Sequence, residues 1–119
     1  MFKSLVRKEE FSSFLHHNKD KLVLVKFSAE WCGPCKNLQA SIKNLLTKLE
    51  KSGKQAKDLV ILEVNADLFP QLEYQDQEQK VQRLAVYALP TLFLFRQGKM
   101  LKKAVGSMSV QQLQEFIEI

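Results

Sequence analysis

The spacing of apolar residues changes period several times along the chain, and each change marks a different element. Phe11, Phe14 and Leu15 recur at i, i+3 and i+4, which predicts a helix over about residues 8–17, preceded by a short strand at residues 3–6. Residues 22–28, LVLVKFS, form a nearly continuous apolar run, the pattern of a strand covered on both faces of a sheet. The helical period then returns from about Cys32 to Lys51, with Leu38, Ile42, Leu45, Leu46 and Leu49 on one stripe. Residues 51–58, KSGKQAKD, carry no apolar period and read as a loop.

In the second half, residues 60–65 read as a strand, followed by an irregular stretch through Pro70 and a helix near residues 77–84. Residues 91–96 and 99–105 make a hairpin pair around Gln97-Gly98. Residues 109–118 close the chain as a helix, with Ser109 as N-cap and Leu113, Phe116 and Ile117 as its apolar stripe. This order of elements predicts an α/β architecture, with about four helices on both faces of a central mixed sheet of about five strands. No long linker or internal repeat divides the 119 residues, so one domain over residues 1–119 is expected. The one compositional bias is the Gln-rich stretch from Gln71 to Gln82.

Composition narrows the class further. A content of 45% hydrophobic and 26% charged residues is that of a soluble globular chain. The first ten residues become charged before a signal-peptide core forms, and no later apolar run approaches membrane-spanning length, so a cytoplasmic protein with no membrane association is expected. The formal charge of +5 is dispersed through Lys43, Lys48, Lys51, Lys54, Lys57, Lys99, Lys102 and Lys103. A dispersed charge suits a solvated surface first, and acidic partners or weak nucleic-acid contact second. No nucleic-acid motif accompanies it, so no nucleic-acid partner is expected.

The chemistry concentrates at Trp31-Cys32-Gly33-Pro34-Cys35-Lys36, where the apolar strand gives way to the amphipathic helix. Two thiols separated by two residues can close a small disulfide ring, and with no other cysteine in the chain the oxidised form uses this pair or another molecule. A reducing compartment favours a catalytic or metal-binding pair over a structural one. At the strand-to-helix turn, free backbone N–H groups and the positive helix end stabilise a thiolate. That matters because thiolate is the attacking species and a free thiol has a pKa of about 8.5. Gly33 and Pro34 permit a tight, stiff turn. Cys32, nearer the helix tip and expected to be more exposed, is the nucleophile, and Cys35, one turn deeper, resolves the mixed disulfide. The competing readings are an inert buried pair or half of a zinc site. The other zinc donors, His16 and His17, are adjacent on a helix and do not face the same way, so no metal site is expected.

The chain resembles the thioredoxin family over nearly its whole length. The resemblance rests on Asp20-Lys21-Leu22-Val23, Phe27-Ser28-Ala29-Glu30-Trp31-Cys32-Gly33-Pro34-Cys35-Lys36, Ala88-Leu89-Pro90-Thr91-Leu92, Gly98 and Val105-Gly106. It implies the thioredoxin fold and reduction of protein disulfides through a redox-active Cys32–Cys35 disulfide. It also implies recharging by a thioredoxin reductase using NADPH, or by a ferredoxin-linked equivalent, with no cofactor bound to this chain. By the same resemblance Pro90 is cis, although only about 5–6% of X–Pro bonds in folded proteins are. It further implies that Pro90 faces the cysteines and that the backbone beside it, at Leu89, pairs with a substrate peptide. Trp31 then shields the cysteines and contacts substrate, beside a plainer reading as a half-buried core aromatic.

Departures from the family pattern stand beside these matches. Lys26 occupies the central-strand position of the family's buried acid, believed to shuttle protons for the resolving cysteine, and Ala40 replaces a helix-kinking proline, which predicts a straighter helix. Residues 51–58 and 68–77 are longer than the usual pattern, which places Phe69, Leu72 and Tyr74 near the domain edge. Two readings of Lys26 stand: its stem snorkels and its ammonium pairs with Glu63 on the neighbouring strand, or it approaches the resolving thiol and tunes its proton. The expected protein is a monomeric thiol–disulfide oxidoreductase acting on protein disulfides. The alternatives are a redox-regulated binding module, with a groove near Trp31 and Pro90 and a partner held by residues 68–82, and a disulfide isomerase or oxidase, against which Gly33-Pro34 argues.

Overall fold

A computed structural model describes residues 2–53 and 58–117. In chain order the elements are β1 (Phe2–Ser4), α1 (Glu10–His17), β2 (Leu22–Ser28), α2 (Gly33–Lys51), β3 (Leu59–Asn65), β4 (Gln71–Gln75), β5 (Val81–Ala85), β6 (Thr91–Arg96), β7 (Lys99–Val105) and α3 (Val110–Phe116). The central sheet has the order β1-β3-β2-β6-β7. Within it β1, β3 and β2 run parallel, and β6 and β7 complete the sheet as antiparallel neighbours.

The continuous apolar run of β2 is explained by cover on both sides. Because side chains alternate along a strand, Val23, Val25 and Phe27 point to one face and Leu22, Leu24, Lys26 and Ser28 to the other. The first set packs with Val60, Leu62 and Val64 of β3 against Phe11, Phe14 and Leu15 of α1. The second face packs Leu22, Leu24, Leu59 and Ile61 against Leu38, Ile42 and Leu45 of α2 and Leu113 of α3. Helices therefore flank both faces, as the pattern of elements requires. A capping box closes the start of α3, with the Ser109 hydroxyl accepting from the Gln112 N–H and the Gln112 side chain accepting from the Ser109 N–H.

The helix expected near residues 77–84 is not formed; β4 and β5 make an antiparallel hairpin there, and the described residues hold three helices rather than about four. Leu72 and Tyr74 alternate on β4 and Leu84 faces the same side from β5, so all three enter the core beneath α1. Tyr74 meets the rings of Phe11 and Phe95 edge-on, at centroid separations of 5.9 and 5.2 Å. Leu72 and Tyr74 are thus buried, against the expectation of a peripheral position. The turn is organised by Asp76, whose carboxylate accepts from the N–H groups of Glu78 and Lys80 and from the Gln82 amide, while Gln79 takes a positive φ of 65°. Good helix formers such as Gln, Glu and Lys supply only a weak local preference, and burial of three large side chains overrides it.

Helix α2 runs unbroken through Ala40, in keeping with the missing proline. Its C-terminal end leads into Gly53 at φ 71°, and residues 54–57 of the expected loop lie outside the described residues.

Candidate functional site

The site is built where β2 ends and α2 begins. Cys32 is the N-cap of α2, in extended conformation, and its Sγ accepts a hydrogen bond from the Cys35 N–H at 3.2 Å. The sulfur thus occupies the place where the first turn of a helix has unpaired N–H groups, and the helix dipole favours negative charge there. Pro34 sits within the first turn, where its missing N–H breaks no helical bond. Cys32 and Cys35 are joined as a disulfide with their Cα atoms 5.3 Å apart.

The expected difference in exposure between the two cysteines is not observed. Cys32 is 4% exposed and Cys35 3%, because both sulfurs pack in a small apolar cluster with Ala29 and under Leu89. What distinguishes them is position on the helix, with Cys32 at the cap and Cys35 inside the first turn. Trp31 is also not half-buried: it is exposed, and its indole Nε1 donates to both carboxylate oxygens of Asp67 at 3.2 and 3.0 Å. Asp67 is a site residue that the sequence did not single out. It is itself oriented by a turn in which its N–H donates to the Asn65 side-chain oxygen at 2.9 Å, and an Asn two residues before it, at the end of a strand, is the one local signal for it.

The Leu89–Pro90 peptide bond is cis, as the resemblance implied. Its segment is tied to the sheet through the Gly106 N–H, which donates to the Pro90 carbonyl at 2.9 Å, and through the Thr91 hydroxyl, which donates to the Ala88 carbonyl at 2.6 Å. These bonds hold Leu89 against the cysteine pair. Around them Trp31, Leu68, Tyr87 and Val105 are exposed apolar or aromatic side chains. Leu68 follows Asp67, Tyr87 lies just before Leu89 and Val105 precedes Gly106, so all belong to segments that touch the site.

Lys26 and Glu63 are brought together by register. They are direct partners on the parallel strands β2 and β3, both on the α2 face, and Lys26 Nζ lies 3.5 Å from Glu63 Oε2. The Lys26 side chain is 1% exposed and that of Glu63 28%, so the pair is buried at one end and open at the other. Burial lowers the Lys26 pKa below its ordinary value of 10.5, and the nearby Glu63 carboxylate only partly opposes it. The Ser28 hydroxyl donates to the other Glu63 oxygen at 3.4 Å. Glu63, Ser28 and Cys35 share the lining of one cleft with Ala29, Glu30, Lys36, Gln39 and Asn65; Lys26 is not on its wall.

Comparison with known proteins agrees with this geometry. The family model described as Thioredoxin matches residues 3–119. Thioredoxin-2, mitochondrial, of Schizosaccharomyces pombe is 41% identical over 88 residues, covering 74% of this chain and 55% of that protein. Thioredoxin Y2, chloroplastic, of Arabidopsis thaliana is 35% identical over 115 residues, covering 94% of this chain and 60% of that protein. The chain therefore spans little more than half the length of these two relatives. The solved structure of Fasciola hepatica thioredoxin superposes with a TM-score of 0.69 at 24% identity, covering 97% of this chain and 95% of that one, a likeness of fold.

Proposed function

The chain belongs to the thioredoxin family, and from that premise we propose that it reduces protein disulfides by dithiol–disulfide exchange through Cys32 and Cys35. The observation that carries this reading is the Cys32–Cys35 disulfide at the N-terminus of α2, lying under Leu89 of the cis Leu89–Pro90 segment.

In the reduced protein the Cys32 thiolate, stabilised by the N–H groups of the first helical turn, attacks one sulfur of a substrate disulfide and expels the other as a thiolate. The Cys35 thiol then loses its proton and attacks Cys32 Sγ. The Cys32–Cys35 bond forms, the mixed disulfide breaks, and the second substrate thiol leaves. Two electrons pass from the dithiol to the substrate, and an external dithiol or a reductase resets the pair. The small Cα separation keeps the second sulfur within reach throughout, which makes resolution intramolecular.

Exposed Trp31, Leu68, Tyr87 and Val105 support a protein rather than a small-molecule substrate, because apolar surface grouped around a reactive site suits contact with another chain. Leu89 and Pro90 supply the backbone beside which a substrate segment lies. The setting we propose is a reducing, cytoplasmic one with a thioredoxin reductase as electron donor and the chain acting as a monomer. Insulin reduction driven by dithiothreitol tests the activity: the wild-type protein accelerates it and Cys32→Ser does not. Equal rates would instead support the binding-module reading, in which the apolar surface is used without turnover.

A further inference from the structure

We propose that Glu63 is the proton-exchange group for Cys35, working through the cleft that the two residues share, while Lys26 holds the carboxylate in place without entering the chemistry. The inference rests on the oxidoreductase reading, since it concerns the resolution step of that reaction.

The register of the sheet carries the argument. Lys26, Ser28, Glu63 and Asn65 alternate onto the α2 face of β2 and β3, directly after the apolar positions Leu22, Leu24, Leu59 and Ile61. The apolar layer thus ends where the polar set begins, and the polar set opens into a cleft of about 640 Å³ whose opposite wall carries Cys35, Lys36 and Gln39 of α2. A space of that size holds many water molecules, each occupying about 30 Å³. General-base catalysis needs the carboxylate within hydrogen-bond reach of the thiol or one water away, and the cleft that Glu63 and Cys35 both line has room for that water.

The two ends of the ion pair differ in a way that assigns their roles. The Lys26 ammonium is enclosed and points at Glu63 Oε2. The Glu63 carboxylate is held on one oxygen by Lys26 and on the other by Ser28, yet it remains partly open on the cleft side. A proton released by Cys35 into the cleft meets Glu63, which lines it, whereas Lys26 does not. The other charged groups on the cleft are the exposed Glu30 and Lys36 on α2, while Lys43 of α2 repels the Lys26 ammonium and lowers its pKa slightly further. Glu30 is the competing carboxylate, but among the described residues none hydrogen-bonds or pairs with its side chain to orient it.

The step balances without any added reagent. In the mixed disulfide the Cys35 thiol gives its proton, by way of water, to the Glu63 carboxylate, which becomes a carboxylic acid. The Cys35 thiolate attacks Cys32 Sγ, the Cys32–substrate S–S bond breaks, and the substrate sulfur departs as a thiolate. Glu63 then returns the proton to water or to that thiolate and is a carboxylate again.

The test uses the full chain with a chromogenic aromatic disulfide, which releases one coloured thiolate when Cys32 attacks and a second when Cys35 resolves. At high reagent concentration stopped-flow separates the two releases. Glu63→Gln is expected to leave the first release unchanged and slow the second roughly 100-fold, the usual scale of a lost general base. The wild-type second release also carries an acid limb in its pH profile that this variant lacks, which a purely structural role of Glu63 does not produce. Glu30→Gln leaves both releases at the wild-type rate. Because a lone buried ammonium can unfold the single variant, Lys26→Met with Glu63→Gln removes both charges and is expected to show the same slow second release. A second release at wild-type speed in the folded Glu63→Gln or double variant would overturn the inference, as would a slowed release in Glu30→Gln alone. No first release from the wild-type protein would overturn the oxidoreductase reading itself, and this inference with it.

Discussion

Replacing Lys26 by Met is expected to stabilise the protein, although it removes an ion pair. Among the described residues Lys26 is the buried charged side chain, and its lowered pKa reports that desolvation of the ammonium outweighs the attraction of Glu63. Met has a similar length, fills the same space and needs no hydration. Exchanging buried ion pairs for apolar residues has stabilised proteins by about 1–4 kcal/mol. Here Glu63 is left without its partner but remains partly open to water and keeps the Ser28 hydroxyl, so the lower end applies, about 1–2 kcal/mol. For a chain of this size that corresponds to roughly 4–8 °C in Tm.

The pH dependence has a definite sign. Between the lowered folded pKa of Lys26 and its ordinary value of 10.5 the unfolded chain binds more protons than the folded one, so wild-type stability gains from Lys26 as pH rises through that window. Below the window the full cost of the buried charge is present. The advantage of Lys26→Met is therefore largest near neutral pH and shrinks toward pH 10.5. Urea unfolding of the oxidised proteins across this range, with unchanged m-values, measures it. A Met variant less stable than wild type at neutral pH, or an advantage that grows with pH, would refute the reasoning.

Two further outcomes follow from the hydrogen bonds at the periphery. Asp67→Ala removes the acceptor of the Trp31 indole, so the fluorescence anisotropy of this single tryptophan is expected to fall as the exposed ring gains freedom; an unchanged anisotropy would show that packing alone orients it. The Asp76 carboxyl is held below its ordinary value of 3.8, chiefly by the Gln82 side chain and then by the Lys80 N–H. Its support of the hairpin turn is present above pH 3.8 and lost as pH falls through the lower folded value, and an NMR titration midpoint at or above 3.8 would contradict that assignment.

Strands with a short apolar run or a clear turn signal were the most legible elements. Residues 22–28 and 91–96 match β2 and β6, which are buried on both faces, end to end. Residues 99–105 match the exposed β7 because the Gln-Gly turn that pairs it with β6 leaves few alternatives. The Lys26–Glu63 pairing was legible for the same reason: a charge interrupting an apolar strand needs a partner, and the adjacent strand offered a carboxylate in register. The β4–β5 hairpin was not, because its exposed positions are rich in helix formers and only tertiary burial of Leu72, Tyr74 and Leu84 decides against them. Trp31 and Asp67 lie 36 residues apart in loops without a period, so their contact left no trace in the spacing. The cysteine motif revealed its own chemistry, but the depth of Cys32 depended on Leu89, which reaches it from a distant segment.

The most direct test of the account is to trap its intermediate. Reduced Cys35→Ser retains the Cys32 nucleophile and lacks the resolving thiol, so with a disulfide-containing protein such as insulin it should form a stable mixed disulfide. Mass spectrometry should place that bond at Cys32, and dithiothreitol should release it. A Cys35→Ser protein that forms no adduct while the wild-type protein also leaves the substrate oxidised would contradict the claim that this pair performs disulfide exchange.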